Sequence, residues 1–596
     1  MISNELRKGF LSFFEKKGHK IVPSSSLIPT DPSCLLTSAG MQQFKPYYLG
    51  EKSPYGLNVA SCQKCFRTSD IEEVGDQSHL TFIEMLGNFS FTRAKRRVED
   101  ETLASSPGGY FKTEAIKLAY EFLFKELKLP LDNVIFTVFG GDREVPEDKE
   151  SVEIWEKLGI PENKIKKCGR EDNFWGPTGE EGPCGPTTEI HFDGVELWNL
   201  VFNEYYQDKK RSLAPLKQKG VDTGMGLERL AMVCQKKSSV YETDLFEPII
   251  KELTKYTGVE KVNCRIHRVI ADHIKGSVFL ISEGIFPSNV ERGYVLRRIL
   301  RRAIRYGKLL NQVKQFLIPL AQKVIEIYKD IYPEVKSKEA DILTVIQKEE
   351  EKFEKTLSLG LKQFEKISAR GDILGEEAFH LFDTYGFPLE LTEELAKEKG
   401  LKVDIKGFEE SFKKHREISR AGVEKKFGGI GREATYTAAK LHTATHLLHA
   451  ALRLILGKHV KQMGSDITPQ RLRFDFSHPQ KMTNEEIKKV EDLVNQKIKE
   501  DLEVKKEEMS YSEAINNGAL AFFKEKYPKR VSVYSITELP KEAKVKMKAK
   551  PSSPKIFSKE ICAGPHVRKT SELGRFKIIK EESSGAGVRR IRAILE

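Results

Sequence analysis

Between Val221 and Leu230 the chain reads VDTGMGLERL, and this stretch restricts the fold more than any other. An acidic residue, Asp222, stands just ahead of two glycines, Gly224 and Gly226. The run then turns apolar and charged through Leu227, Glu228 and Arg229. Glycine at both positions lets the backbone approach a bound group, or take a positive φ, with no Cβ in the way. Arg229 offers a planar fork of donors that suits a phosphate, and Asp222 offers the charge that a substrate ammonium needs. Alone, the run reads more readily as a glycine-bearing strand-to-helix turn. What surrounds it has to decide.

The 596 residues leave room for several buried cores, and 39% hydrophobic with 31% charged residues fits a globular chain. Lys and Arg outnumber Asp and Glu by 99 to 87, a modest excess that favours a polyanionic partner. Eight scattered cysteines fit a reducing compartment and exclude a disulfide framework. The N-terminal MISNELRKGFLSFFEKKGHK mixes acids and bases and carries no cleavable apolar core. No stretch approaches the length of a membrane-spanning helix. A cytoplasmic protein is expected, without a membrane or DNA partner.

Along the chain, residues 1–20 predict an amphipathic helix with Leu6, Phe10, Phe13 and Phe14 on one stripe. Short β-like runs follow between Ser61 and Phe91. The charged stretch TRAKRRVEDETLASSPGG then reads as a surface insertion. From 132 to 230 strands alternate with short helices, which predicts an antiparallel-leaning sheet. Residues 240–420 read as mostly helical, with a long Lys/Glu-rich segment at 336–369. A linker signal falls at Gly422–Gly431 (GVEKKFGGIG), and a second α+β region follows it. Cys62 and Cys65 form a single CxxC, too weak a pattern to count as a metal site.

The strings TSAGMQQFKP, CQKCFRTSDIEEVG, TFIEMLGNFSF, GPCGPTTEI, LWNLVF and VDTGMGLERLA together resemble the alanyl-tRNA synthetases, a class II aminoacyl-tRNA synthetase family. The resemblance continues through PSNVERGYVLRRILRRAIRYG, FDTYGFPLELT, LHTATHLLHAAL, CAGPHV and GVRRI, and so covers the whole chain. It implies an α+β multidomain protein. A class II antiparallel-sheet catalytic domain is expected at 1–236, a helical tRNA acceptor-stem recognition domain at 237–425, and an α+β editing domain with zinc at 426–596. It implies activation of L-alanine with ATP, transfer to the 3′ end of tRNA(Ala), and Mg²⁺ bridging phosphate oxygens. No side-chain nucleophile is needed, so catalysis rests on positioning and charge neutralisation. By the same resemblance Arg67 grips the α-phosphate and Arg229 the far end of the triphosphate. Trp175, Leu197, Trp198 and Asn199 belong to the nucleotide and amino-acid pocket, with Asn199 also touching alanine. Asp222 binds the alanine ammonium, and Gly226 leaves room for ATP. Read alone, Arg67 is a surface cation and Trp175 a core side chain. His79 is a further ATP contact by resemblance. The family has two adjacent histidines before Thr-Phe, however, whereas this chain has His79 then Leu80, and one residue of offset flips a strand side chain to the other face.

Arg297, Arg298, Arg301, Arg302 and Arg305 recur at helical spacing with few acids near them in sequence, which predicts a cationic stripe suited to an RNA backbone. The family's readers of the G·U acceptor pair fall on Asn289 and Asp383. Read alone, both are helix caps. His442 and His446, at i and i+4, share one side of a helix, and Cys562 with His566 supplies a second pair. Together they suit one tetrahedral Zn²⁺. Thr443 stands where a zinc peptidase needs its glutamate, which argues against a peptidase. His449 has no place in the set and reads as a bystander. The resemblance implies hydrolysis of mischarged tRNA here, because a pocket for alanine admits glycine and discriminates serine by only about 1–3 kcal/mol. Gln462 is expected as an editing partner beside Cys562. Whether the metal activates water stays open.

Many relatives carry a β-barrel between the helical and HTATH regions, and a coiled coil with a C-terminal domain after GVRRI; neither is evident here, so a monomer is expected. Two further readings remain: a hydrolase whose synthetase half has decayed, and a basic RNA-binding scaffold without activity.

Overall fold

The structure is a computed structural model. It describes residues 1–92, 109–257, 265–310, 315–415, 436–468, 470–521, 530–538, 555–562, 564–585 and 587–596. The described residues fall into two compact units, Met1–Val403 and Asp404–Glu596. The insertion after Phe91, with its basic cluster at Arg93, Lys95, Arg96 and Arg97, lies outside the described residues, as does the linker signal at 422–431.

The first unit opens with α1 (Ser3–Lys16) and continues through β1 (Lys20–Ile21), β2 (Asn58–Phe66) and β3 (Phe82–Phe91). After α2 (Lys112–Tyr120) come β4 (Val134–Phe139), β5 (Ile165–Cys168), β6 (Phe174–Trp175), β7 (Gly182–Phe192), β8 (Val195–Gln207) and β9 (Leu213–Gly226). The sheet order is β1-β2-β3-β9-β8-β7-β4-β5, with β6 paired to β7. Only β1–β2 and β4–β5 run parallel, so the antiparallel sheet expected from the sequence is present. The predicted stripe of α1 is buried: Leu6, Phe10, Phe13 and Phe14 pack on one face of the sheet. Residues on a strand alternate between faces. One face therefore takes α1 and α2 while the other is left for a cavity.

β9 ends where α3 (Leu227–Cys234) begins, so VDTGMGLERL is a strand-to-helix junction. Next come α4 (Glu247–Thr257), α5 (Arg265–Ser282), α6 (Glu291–Leu309), α7 (Leu317–Tyr328), α8 (Glu339–Ser368), α9 (Gly375–Tyr385) and α10 (Leu389–Glu398). The boundary expected at 236/237 is not a break in packing. Lys275 of α5 is fully buried on Glu228 of α3 at 2.7 Å, and the Tyr332 hydroxyl donates to Glu84 of β3 at 2.8 Å. Glu84 also accepts from Arg7 of α1. Such buried charges persist only when each finds a partner.

In the second unit α11 (Tyr436–Leu456) packs with a four-stranded antiparallel sheet, order β10-β11-β16-β15, formed by β10 (Gln462–Thr468), β11 (Arg471–Ser477), β15 (Phe576–Gly585) and β16 (Val588–Leu595). A three-stranded sheet joins β12 (Glu503–Ser510), β13 (Arg530–Glu538) and β14 (Lys555–Ile561). Leu448, Phe474, Phe476 and Ile591 lie at the core. The helix α12 (Asn484–Lys499) starts on a capping box in which Thr483 and Glu486 satisfy each other's backbone N–H.

Candidate active site and metal centre

β9 lies between β3 and β8, with Asp222 opposite Val201, Gly224 opposite Asn199, and Gly226 opposite Met85. Its two-residue period turns Asp222, Gly224 and Gly226 to the face away from α1. There Asp222 and Gly224 join Asn199 and Val201 of β8, Glu189 of β7, Trp175 of β6 and Arg67 around a cavity of about 610 Å³. A smaller space lined by Leu197, Gly226 and Arg229 shares Arg67, Asp70, Glu196 and Gly224 with it. Arg67 therefore stands where the two spaces meet, and it shares a cavity with Asp222.

The electrostatics of this cavity are asymmetric. The Asp222 carboxylate is 5% exposed and accepts no hydrogen bond among the described residues. Burial alone pushes its pKa up from 3.8 to about 8. An unpaired buried carboxylate facing a cavity calls for a cation. Glu189 is raised as well, chiefly by burial, and it accepts from Asn199 Nδ2 at 2.7 Å. The Asn199 Oδ1 has no hydrogen-bond partner among the described residues. Across the cavity the Arg67 guanidinium has no hydrogen-bond or ion-pair partner among the described residues. Arg229 Nη1 donates to Glu196 at its carbonyl (2.9 Å) and its carboxylate (3.0 Å). Glu189, Glu196, Asp70 and Met85 were not foreseen from sequence. The register of β7 against β8, which places Glu189 opposite Asn199, is what brings Glu189 in.

A Cβ built on Gly226 meets nothing nearer than 3.8 Å, and its φ of −68° suits any residue. Neither packing nor backbone conformation therefore requires glycine here, and a side chain would take room from the smaller space that Gly226 lines. Gly226→Ala is expected to fold with an unchanged unfolding midpoint, and to raise the KM for ATP about tenfold if nucleotide takes that space.

Three sequence expectations need correction. Trp198 does not reach the cavity: its neighbours on β8, Leu197 and Asn199, face that side, so alternation sends Trp198 into the core against Phe10 at 5.8 Å and Phe122 at 5.9 Å. His79 lines neither space. Ser78 and Leu80 face the smaller one, while His79 turns its Nδ1 to Asp76 at 2.5 Å. The arginines of α6 do not form an open stripe. Arg297, Arg301, Arg302 and Arg305 are buried and Arg298 nearly so. Glu349 of α8 holds Arg301 at 2.6 Å, Glu394 and Glu398 hold Arg302 and Arg305, and Glu72 holds Arg298 at 2.5 Å. The acids stand far off in sequence, on α8, on α10 and, for Glu72, between β2 and β3, so local composition could not reveal them.

Asn289 is exposed just before α6, where its Oδ1 accepts from Arg297. Asp383 is exposed on α9, three residues before Gly386, whose carbonyl accepts from Arg301. Cys62 and Cys65 are both buried on β2, three residues apart and so on opposite faces of the strand.

In the second unit His442 and His446 of α11 meet Cys562 and His566, with one ligand atom from each within 4.8 Å of all the others. Cys562 Sγ lies 3.3 Å from His442 Nε2. His566 binds Thr443 through Nδ1 at 3.1 Å, which leaves a buried, partnerless Nε2 pointing to the group. His446 places Nδ1 at 3.4 Å from Glu560, again freeing Nε2. Burial lowers the pKa of His442 to about 4 and that of His446 and His566 as well, with neighbouring imidazoles adding to the effect. Neutral imidazoles with open lone pairs beside a thiol are the donor set of a closed tetrahedral site, so the residues fit a metal ion. Gly564 is required here because a Cβ would stand 1.9 Å from the His442 ring. His449, a bystander by sequence, donates from Nδ1 to Glu560 at 2.8 Å and so shares that carboxylate with His446. Gln462 opens β10, with its Nε2 donating to Ser465 at 3.1 Å.

A class is defined at this point: an antiparallel sheet flooring a cavity with an open arginine at one side and an unpaired buried carboxylate at the other. A family model described as tRNA synthetases class II (A) matches residues 5–455. One described as the threonyl and alanyl tRNA synthetase second additional domain matches 531–592, which includes Cys562 and His566. The alanine–tRNA ligase of Borrelia hermsii is 47% identical over 622 residues, covering 99% of each chain. That of Treponema pallidum is 45% identical over 629 residues, covering 100% of this chain and 98% of the relative. That of Dehalococcoides mccartyi is 38% identical over 733 residues, with 99% and 80% covered. Within class II, the chain belongs to the alanyl-tRNA synthetase family.

Proposed function

We propose that the chain is an alanine–tRNA ligase with a separate hydrolytic site for mischarged tRNA. The observation that carries the first half is the shared cavity of Arg67 and Asp222. Alanine binds with its ammonium on Asp222, ATP lies over Gly226 with its α-phosphate at Arg67 and its far end at Arg229, and Trp175, Leu197 and Asn199 complete the pocket. A carboxylate oxygen of alanine then attacks the α-phosphorus, the bond to pyrophosphate breaks, and pyrophosphate leaves with its negative charge. A 3′-end hydroxyl of tRNA(Ala) next attacks the alanyl carbonyl and AMP leaves. Both steps need alignment and charge neutralisation, which fixed guanidinium and carboxylate groups supply without reorganising. Mg²⁺ would enter with ATP and would supply further charge neutralisation at the phosphates.

For the second half, the metal is Zn²⁺, held by His442, His446, Cys562 and His566; when bound it supplies a fixed positive charge at the pocket. The three imidazoles and the thiolate hold that charge, Glu560 orients His446, and Gln462 joins Cys562 at the substrate end. Serine and glycine differ from alanine by one small group, too little for the first pocket to reject alone. Asn289 and Asp383, both exposed in the first unit, meet the acceptor stem with its G·U pair. We assign 1–236 to activation, 237–425 to stem recognition and 426–596 to editing, in a cytoplasmic monomer. Light scattering tests the last point. No helix among the described residues is long and apolar enough to cross a membrane.

The deciding experiment is alanine-dependent ATP–pyrophosphate exchange, followed by aminoacylation of a tRNA with and without the acceptor G·U pair. Exchange and G·U-dependent charging are expected. A chain that deacylates Ser-tRNA but never exchanges is a hydrolase only, and one that binds tRNA without either reaction is a scaffold.

A further inference from the structure

The segment Arg67–Leu80 between β2 and β3 has two sides. One lines the cavity: Arg67, Thr68, Ser69 and Asp70 face the large space, and Ser78 and Leu80 the small one. The other side is fastened by four arginines of α5 and α6. Arg302 Nη1 donates to the Ile71 carbonyl at 2.5 Å. Glu72 pairs with Arg298 at 2.5 Å and lies 3.8 Å from Arg302. Arg265 Nη2 donates to the Glu72 carbonyl at 3.1 Å, and Arg268 Nη1 to the Asp76 carbonyl at 2.7 Å. The segment has little regular structure of its own beyond one short turn at Ser69–Ile71, and its outward carbonyls need donors. A guanidinium can serve a carbonyl and a carboxylate at once because its donors form a rigid planar fork. Arg302 does so, reaching Glu394 of α10 at 3.1 Å with the other arm, and it is 4% exposed. It lies out of reach of an RNA backbone and within reach of the segment that carries Arg67.

We propose that Arg298 and Arg302 are positioning residues for amino-acid activation, acting on the nucleotide site through the Arg67–Leu80 segment and not through contact with tRNA. This rests on the ligase reading above. A cation that only bound RNA would affect the tRNA-dependent step alone. These two set the place of Arg67 before any tRNA arrives, and small displacements of a phosphate-binding group are costly to rate.

The test is alanine-dependent ATP–pyrophosphate exchange by the full chain with no tRNA present. The variants are Glu72→Gln, Arg298→Gln, their double, and Arg302→Lys, which keeps the charge but loses the fork. In Arg302→Lys kcat/KM for ATP is expected to fall about tenfold, and in each single variant of the Glu72–Arg298 pair about threefold to fivefold, with unfolding midpoints close to wild type. Arg298 also pairs with Glu390 at 3.2 Å, so the double variant is expected to lose less than the product of the two single losses, because both singles remove the shared Glu72–Arg298 contact. Where Arg302→Lys does not fold, the Glu72–Arg298 cycle decides alone. Unchanged exchange with a raised KM for tRNA would make these arginines RNA contacts and overturn the inference, and fully additive losses would overturn it too. A wild-type chain without exchange removes the ligase reading and this inference together. Normal wild-type exchange with unaltered variants removes this inference alone.

Discussion

Asp222→Asn is expected to lower kcat/KM for alanine in pyrophosphate exchange about 10²–10⁴-fold, the effect of leaving a desolvated charge without its partner. The substitution keeps size and shape, so the cavity stays and only the negative charge goes. The wild type should betray the same group through pH. Burial raises the Asp222 pKa to about 8, so below pH 8 the empty site is mostly neutral, yet the ammonium needs the carboxylate. Alanine binding must then expel a proton. The KM for alanine is expected to fall about tenfold per pH unit between 6 and 8 and to level off above, until the substrate ammonium itself deprotonates. Calorimetry at pH 7 in buffers of different ionisation enthalpy would count close to one released proton. A pH-independent KM over this window contradicts the assignment. Stability carries the opposite sign. Between about pH 4 and 8 the native state holds a proton that the unfolded chain has released, so the contribution of this group to stability declines as pH rises. Asp222→Asn removes that penalty. Its unfolding midpoint is expected above wild type at pH 8, with the gap closing toward pH 4.

Much of this site could be read before the fold was known, and the reason is periodic. Asp222, Gly224 and Gly226 are spaced by two, so any strand carrying them puts all three on one face, and the sheet does so. The same rule, applied to Leu197–Trp198–Asn199, excludes Trp198 from the pocket, because three consecutive strand residues cannot share a face. The run as a whole resembles the family's pocket; its middle residue belongs to the core. The arginines of α6 show the opposite failure. Their spacing was legible, but their partners Glu349, Glu394 and Glu398 stand 48 to 93 residues further on. Sequence gives the donors of such a network and tertiary packing gives its acceptors. Glu560 was missed for a related reason: only the meeting of β14 with α11 places it against His446 and His449.

The second large effect is expected at the metal centre. Cys562 and His442 lie 120 residues apart and meet at 3.3 Å, so the ion, when bound, ties α11 to the end of β14. Nε2 of His566 meets no hydrogen-bond partner among the described residues and lies beside the other two imidazoles and the Cys562 thiol. Cys562→Ala is expected to abolish Ser-tRNA deacylation, to leave less than one equivalent of zinc on the purified chain, and to lower the unfolding midpoint of the second unit. Pyrophosphate exchange should stay within about twofold of wild type, because the cavity of Arg67 and Asp222 belongs to the other compact unit. Chelation of the wild type should reproduce every part of this pattern. Glu560→Gln separates orientation from ligation. Although burial pushes the other way, His446 and His449 hold the Glu560 carboxyl below its usual range, so it presents a charge that fixes the His446 Nδ1 proton and aims Nε2 at the ion. Neutralising it is expected to weaken zinc about 10- to 100-fold in a chelator competition, with the four ligands intact. A Cys562→Ala chain that keeps its zinc and its deacylation would place the hydrolytic site elsewhere. One that loses exchange as well would mean the two units do not act independently.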